Sequence, residues 1–254
     1  ATVVEDRYMP PWHASSKDYE FEGHRALSEQ EIKLISDWVD SGMAEGDPLK
    51  VPDLPRFTDG WQLGEPDLVV TMREGYKLYA EGPDIYRNFV IPLNLKEDKW
   101  IKAIEFRPGE PTVVHHSLFY YDTSGEARRR DDSDPVPGFR TMGGGPQREG
   151  SIGGWAVGGV PKKLPDGLAY RLPEGADLIL STHFHPSGKE ETEISTVGFY
   201  FSEEPPEQRF TGLQLPPVFG ALAGVDIPAG DPSYTIKDSF VLPVDVKAFG
   251  VSSH

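Results

Sequence analysis

The chain contains no cysteine among its 254 residues. Without thiolates it cannot form disulfides or iron–sulfur clusters. It also cannot hold zinc through thiolates, copper in a Cys-containing blue-copper site, or covalently attached haem. This single absence excludes several common redox and structural centres, and it leaves sites built from histidine open.

Basic residues are few relative to acidic ones. Lysine and arginine total 25 against 41 aspartates and glutamates, which gives a formal net charge of −16. Such a charge opposes binding to nucleic acid or to anionic lipid. The sequence also lacks an apolar run near the roughly 20 residues that a membrane span requires. We therefore predict no nucleic-acid partner and no membrane insertion, and we expect small molecules and cations as ligands.

The first 50 residues differ from the rest of the chain because they carry a helical pattern. Ser28 and Glu31 have the spacing of a capping box, and apolar residues from Ile32 to Val39 then recur at helical spacing. This pattern predicts one amphipathic helix over residues 28–41. A single helix cannot form a core alone, so it must pack on other residues.

From Trp61 onward the sequence changes to short runs rich in Val, Ile, Tyr, Phe and Thr, separated by Gly, Pro and Asp. Runs at this spacing are typical of an antiparallel β-sandwich. The predicted strands are residues 68–72, 85–92, 100–106, 113–121, 177–184, 194–201, 234–241 and 244–251. The predicted fold class is therefore all-β, an antiparallel sandwich with a small α-helical N-terminal segment.

A polar, Gly-rich stretch over residues 125–154 interrupts this pattern and is predicted as a surface loop that could cover a site. Arg128, Arg129 and Arg130 lie within it. They could attract an anionic substrate, but the aspartates that follow them favour solvated loop residues.

Two histidine clusters are the main chemical signal, and they lie in strand-like sequence. His115 and His116 are adjacent in the first cluster, and His183 and His185 are two residues apart in the second. Consecutive strand residues face opposite sides of a sheet, so the first pair can reach one metal ion only at a bulge or a strand end. Otherwise one imidazole is a core residue and its neighbour is exposed. His183 and His185 share a face, and either or both could complete a three-histidine site.

Hydrolytic chemistry is a weaker interpretation of this sequence. It contains neither a Gly-x-Ser-x-Gly nucleophile elbow nor a His-Glu-x-x-His helix. Neutral imidazole is the commonest protein ligand for copper and zinc, so a metal site is the leading hypothesis.

Three ordered motifs resemble the copper type II, ascorbate-dependent monooxygenases, the family of peptidylglycine α-hydroxylating monooxygenase and dopamine β-monooxygenase. The motifs are Thr112–His116, Gly154–Gly159 with Leu164–Gly167, and Asp177–His185. The resemblance extends from about residue 61 to 254. It implies two jelly-roll-like β-sandwich domains that each bind one copper, one for electron transfer and one that activates O2 for hydroxylation of a C–H bond.

The resemblance also implies roles for individual histidines. His115, His116 and His183 match the ligands of the electron-transfer copper, which requires a local distortion of the strand at His115 and His116. His185 matches a non-ligand position and is a possible outer-sphere residue. The implied partners are O2, an organic substrate and an external electron donor.

The second copper site of the family uses a His-x-His pair and a later methionine. His254 matches the first histidine of that pair, and Ile227–Gly230 resembles the start of the second domain. By this match, residues 58–205 are the first copper domain and residues 206–254 begin the second, truncated one. We therefore expect the electron-transfer half of a copper-dependent monooxygenase that is inactive alone.

Residues 1–50 resemble the C-terminal part of a c-type cytochrome domain, with Met9 matching its axial haem ligand. The Cys-x-x-Cys-His attachment site is absent. Haem c is therefore expected only in a longer parent protein. The absence of the cysteines that form the disulfides of animal members suggests a bacterial relative. The family and cytochrome resemblances alone imply a periplasmic or otherwise extracytoplasmic location.

Two alternatives remain open at this point. The chain could be a non-catalytic β-sandwich whose histidine clusters hold zinc or copper for structure, so that loss of the metal would unfold it. It could also be a sandwich whose histidines serve only the core.

Overall fold

The computed structural model describes residues 1–12, 14, 20–54, 59–140, 149–215 and 225–251. The chain forms two compact units, Ala1–Phe57 and Thr58–His254.

The first unit is helical. It contains α1 (Thr2–Glu5), α2 (Glu29–Asp40) and a 3₁₀ turn at Pro48–Lys50. The Ser28 hydroxyl accepts from the Glu31 backbone N–H at 3.2 Å, and the Glu31 carboxylate accepts from the Ser28 N–H at 2.8 Å. This capping box begins the helix where the sequence predicts it, because it satisfies N–H groups that have no partner inside the helix.

The second unit is built from antiparallel sheets. Its elements are β1 (Leu68–Thr71), β2 (Tyr76–Leu78), β3 (Ile85–Pro92), β4 (Lys99–Arg107), β5 (Val114–Asp122), α3 (Glu126–Ser133), β6 (Glu149–Ala156), β7 (Tyr170–Leu172), β8 (Asp177–Phe184), β9 (Glu191–Glu193) and β10 (Thr196–Ser202). One sheet has the order β1-β10-β4-β7, the other has the order β3-β8-β5-β6, and β2 pairs with β9. The predicted all-β class with a small helical segment is confirmed.

The core lies between the two four-stranded sheets. Phe106 of β4 and Phe119 of β5 come from different sheets, and their ring centroids are 5.4 Å apart. Phe184 and Phe199 are fully buried in the same apolar cluster. Residues that alternate inward along strands of both sheets therefore form one shared core, as in a sandwich.

The predicted loop over residues 125–154 is wrong in part, because it contains α3 and β6. The α3 helix contributes the buried Ala127 to a small apolar cluster with Val90 and Ile179. Its Arg128 binds the buried Asp177 carboxylate through Nε at 3.0 Å, so this arginine is an ion-paired helix residue, although 45% of its side chain remains exposed. The polar composition hid the helix because its stabilising contacts come from distant strands.

Glycine is what allows β6 to pair closely with β5. A Cβ at Gly154 would lie 2.9 Å from Leu118 Cδ2 and 3.1 Å from the Ser117 carbonyl oxygen. The glycines whose presence predicts a loop therefore allow two strands to lie close together.

The predicted strands over residues 234–241 and 244–251 are also wrong. In the described parts of residues 206–254 the structure contains no helix or strand, and the apolar side chains of Val241, Val244 and Val251 are exposed. A β-strand requires a neighbouring strand for its backbone hydrogen bonds, and no such neighbour lies beside these residues in the described parts of the chain.

Asp122, at the end of β5, holds the start of α3. Its Oδ1 accepts from the Ser124 backbone N–H at 2.9 Å, and its Oδ2 accepts from the Ala127 N–H at 3.0 Å. Burial works to raise the pKa of Asp122, but hydrogen bonds from Ser124 and Ala127 outweigh it and leave the pKa below its ordinary value. We expect Asp122→Ala to lower the free energy of unfolding by about 2 kcal/mol, because the buried Ala127 N–H and the partly buried Ser124 N–H lose their acceptor.

This stabilisation should depend on pH in a known direction. Because the folded-state pKa is lowered, the contribution is fully present above the ordinary carboxyl pKa of about 4 and is lost as pH falls through the folded value. Urea unfolding of wild type and Asp122→Ala at pH 7 and at pH 3 measures this difference. Asp166→Ala, at an exposed carboxylate, is the control and should change stability by less than about 0.5 kcal/mol. An equal loss in both variants would contradict the capping role.

Candidate metal centre

The β5 and β8 strands bring the two histidine clusters together. The strands are antiparallel neighbours, with Val114 opposite Phe184 and His116 opposite His183. His115 is therefore an extra residue in β5, which is the register shift of a β-bulge. The bulge removes the strict alternation of side chains and allows adjacent histidines to serve one site.

Three imidazoles converge at this point. His115, His116 and His183 each offer a nitrogen, and these ligand atoms all lie within 4.8 Å of one another. The Nδ1 atoms of His115 and His116 are 3.0 Å apart. Adjacent nitrogens bound to one zinc or copper ion at about 2.0–2.1 Å lie roughly 3 Å apart, so this spacing fits a shared ion. The group can hold a metal.

His183 has one ring nitrogen bound to Asp84 and one without a partner. Its side chain is buried, with only 7% of the residue exposed, and its Nε2 lies 2.8 Å from Asp84 Oδ2. Its Nδ1 is also buried and has no hydrogen-bond partner. A buried polar atom without a partner costs about 1–3 kcal/mol, so a bound ligand at Nδ1 would relieve this cost. The donor set and this atom together fit a metal ion.

Tyr86 and Asp84 surround His183 on its other sides. The Tyr86 ring stacks on the imidazole with centroids 4.1 Å apart and an interplanar angle of 14°. Asp84 lies just before β3, and hydrogen bonds from His185 and then from His183 lower its pKa below the ordinary value. Sequence reasoning missed both residues. Only the pairing of β3 with β8, which places Tyr86 opposite His183, brings them to the site.

His185 lies outside the three-imidazole group. Its side chain is 71% exposed, its Nδ1 is 2.8 Å from Asp84 Oδ1, and its backbone N–H donates to the Val113 carbonyl oxygen at 2.9 Å. The structure therefore places His185 against the carboxylate that also contacts His183.

Two further predicted ligands remain, Met9 and His254. Met9 lies in the first unit with 46% of its surface exposed, after the short helix α1. His254 lies outside the described residues.

A cavity of about 360 Å³ adjoins the site at Asp84 and Tyr86, and its other walls include Tyr79, Arg140 and Pro186. It is a mostly apolar recess that includes two tyrosine rings and adjoins residues in contact with the buried His183.

Comparisons with known proteins give no family match. No family model, no curated protein and no solved structure is similar to this chain. Among the described residues, no helix combines the length and the apolar character needed to cross a membrane. Function must therefore be argued from the histidine site itself.

Proposed function

We propose that this chain is the copper-binding, electron-transfer part of a copper-dependent monooxygenase. The observation that carries the proposal is the convergence of His115, His116 and His183, together with the buried Nδ1 of His183, which has no hydrogen-bond partner. The proposal is also supported by the sequence motifs around these residues, whose order resembles that of the copper type II monooxygenases. In that enzyme class the other partners are O2, an organic substrate and an external electron donor.

The motif order favours copper among the metals that imidazole binds, and copper is compatible with the ligand set. This set contains three neutral nitrogen donors and no carboxylate, which suits both Cu(I) and Cu(II). When bound, copper supplies one-electron redox chemistry. The protein contributes rigidity, because His116 and His183 lie on paired strands and Tyr86 stacks on the His183 ring. Ligands that do not rearrange favour fast electron transfer.

The exposure of His115 gives the site an accessible side. His183 is buried while His115 is exposed. We infer that an electron donor approaches from the His115 side, so no large movement of the sheet is needed for electron transfer.

A structural zinc site fits this geometry less well. Structural zinc is almost always bound by four protein ligands in a closed tetrahedron. The group found among the described residues has three ligands and one exposed edge. Three histidines with an open side also suit a catalytic zinc. The resemblance of the sequence motifs is therefore the reason to propose redox copper at this site.

Copper binding by the purified chain tests the proposal. We expect about one tightly bound copper ion per chain by elemental analysis, a Cu(II) spin-resonance signal with nitrogen coupling, and loss of that signal when ascorbate reduces the ion. Zinc-loaded protein serves as the comparison. Absence of copper binding, or unfolding of the chain when a chelator removes zinc, would overturn the assignment in favour of a structural site.

A further inference from the structure

Asp84 contacts two imidazoles with its two carboxylate oxygens. Oδ2 lies 2.8 Å from His183 Nε2, and Oδ1 lies 2.8 Å from His185 Nδ1. We propose that Asp84 is a positioning residue that orients His183, selects its tautomer and strengthens its Nδ1 as a metal ligand. This inference rests on the proposed function, in which Nδ1 of His183 binds copper.

The tautomer follows from the chemistry of the carboxylate. An ionised carboxylate only accepts hydrogen bonds, so the His183 Nε2 must carry the hydrogen. The lone pair of the neutral imidazole then lies on Nδ1, the buried atom without a hydrogen-bond partner. The other tautomer would place a hydrogen on Nδ1 and block metal binding there. A carboxylate hydrogen-bonded to a metal-bound histidine also raises the basicity of that ligand.

Strand register explains why Asp84 reaches both imidazoles. In the ladder between β3 and β8, Ile85 is opposite Phe184 and Tyr86 is opposite His183. Extending the same register by one residue places Asp84 across from His185 and diagonal to His183, within reach of both.

His185 serves to hold the carboxylate in place. It occupies the oxygen that His183 does not use, while its own backbone N–H is bound to Val113. The Tyr86 ring restricts the imidazole plane of His183. Asp84, with these two supports, holds His183 in one orientation, in which the unpartnered Nδ1 is the nitrogen left for a metal ion.

Asp84→Asn is the direct test, because asparagine keeps the shape and removes the charge. We expect copper affinity to fall about 10–100-fold, the usual effect of replacing a residue that is hydrogen-bonded to a metal-bound histidine. We also expect the Cu(II)/Cu(I) reduction potential to rise, because a less basic imidazole stabilises Cu(II) less. Asp84→Glu should recover part of both values. His185→Ala should cost less than about tenfold in affinity, because Asp84 remains.

Glu81→Gln is the matched control. Glu81 lines the cavity next to Asp84, so this variant removes a nearby charge at a residue outside the histidine group. It should keep the copper affinity and the reduction potential of wild type.

If Asp84→Asn also keeps both values while wild type binds copper, the positioning role of Asp84 is overturned and the proposed copper site is not. If Asp84→Asn only lowers the stability of the metal-free protein, the role is structural and the inference is likewise overturned. If wild type binds no copper, both proposals are overturned.

Discussion

Replacing His183 by alanine should reduce copper affinity by more than about 100-fold. That is the upper end of the loss expected when a residue hydrogen-bonded to a metal ligand is replaced. His183 is the buried member of the three-imidazole group, and its Nδ1 has no partner in the protein. Removal of this side chain leaves only the adjacent pair in β5, which is too few ligands for tight binding. Isothermal titration with Cu(II), or competition with a chelator of known affinity, measures the loss.

A second variant separates metal binding from folding. His183→Phe keeps a ring of similar shape against Tyr86 but removes both nitrogens. Its metal-free stability should stay within about 1 kcal/mol of wild type. The loss of the hydrogen bond to Asp84 is offset by removal of the unpartnered buried nitrogen. Copper binding should nevertheless be lost. His24→Ala, which removes an exposed histidine of the first unit, should bind copper as wild type does. Normal copper binding by both His183 variants would contradict the site.

Replacing Glu105 by alanine should cause the largest loss of stability, about 3–5 kcal/mol. Glu105 is only 2% exposed in β4. Its carboxylate accepts from the Gln62 N–H at 2.8 Å and from Arg107 Nε at 3.1 Å. The Tyr200 hydroxyl lies 3.2 Å from the same carboxylate and 2.8 Å from the Gly64 carbonyl oxygen. Alanine would leave the Gln62 N–H and the partly buried Arg107 charge without their acceptor. Against a typical total stability of about 5–15 kcal/mol, the variant would be marginally folded.

Tyr200 provides a local readout of the same network. Burial first, and then the Glu105 charge, raise the pKa of Tyr200 to about 12. In Glu105→Gln, which keeps the side-chain size, we expect an intermediate loss of stability and a lower Tyr200 pKa, measured by ultraviolet titration of tyrosinate. Glu97→Ala, at an exposed ion pair with Lys99, is the surface control and should cost less than about 1 kcal/mol. Equal stability of Glu105→Ala and this control would contradict the network.

Strand prediction succeeded where the residue pattern of the sequence agrees with the burial of the same residues in the sheets. The predicted strand at residues 85–92 is β3, and the prediction at residues 177–184 is β8. Both strands carry β-branched and aromatic residues that are buried in the shared core. The prediction failed for β6, because its glycines look like a loop in sequence and act as close contacts in the sheet.

The candidate site could be predicted only in part. The sequence shows His115, His116, His183 and His185 in strand-like runs, and resemblance alone selects three of them as ligands. It contains no signal that links Asp84 to His183, because 99 residues separate them.

The sequence by itself determined the all-β class, the capped N-terminal helix, the exclusion of thiolate centres and the histidines available as ligands. These properties depend on composition, on local periodicity and on hydrogen bonds between near neighbours, which can be recognised within a short window of sequence. Only the tertiary structure decided that a bulge at His115 lets adjacent histidines share a site, and that Asp84 and Tyr86 contact His183. Strand register decides these contacts, and register is set by the packing of whole sheets, which no local pattern specifies.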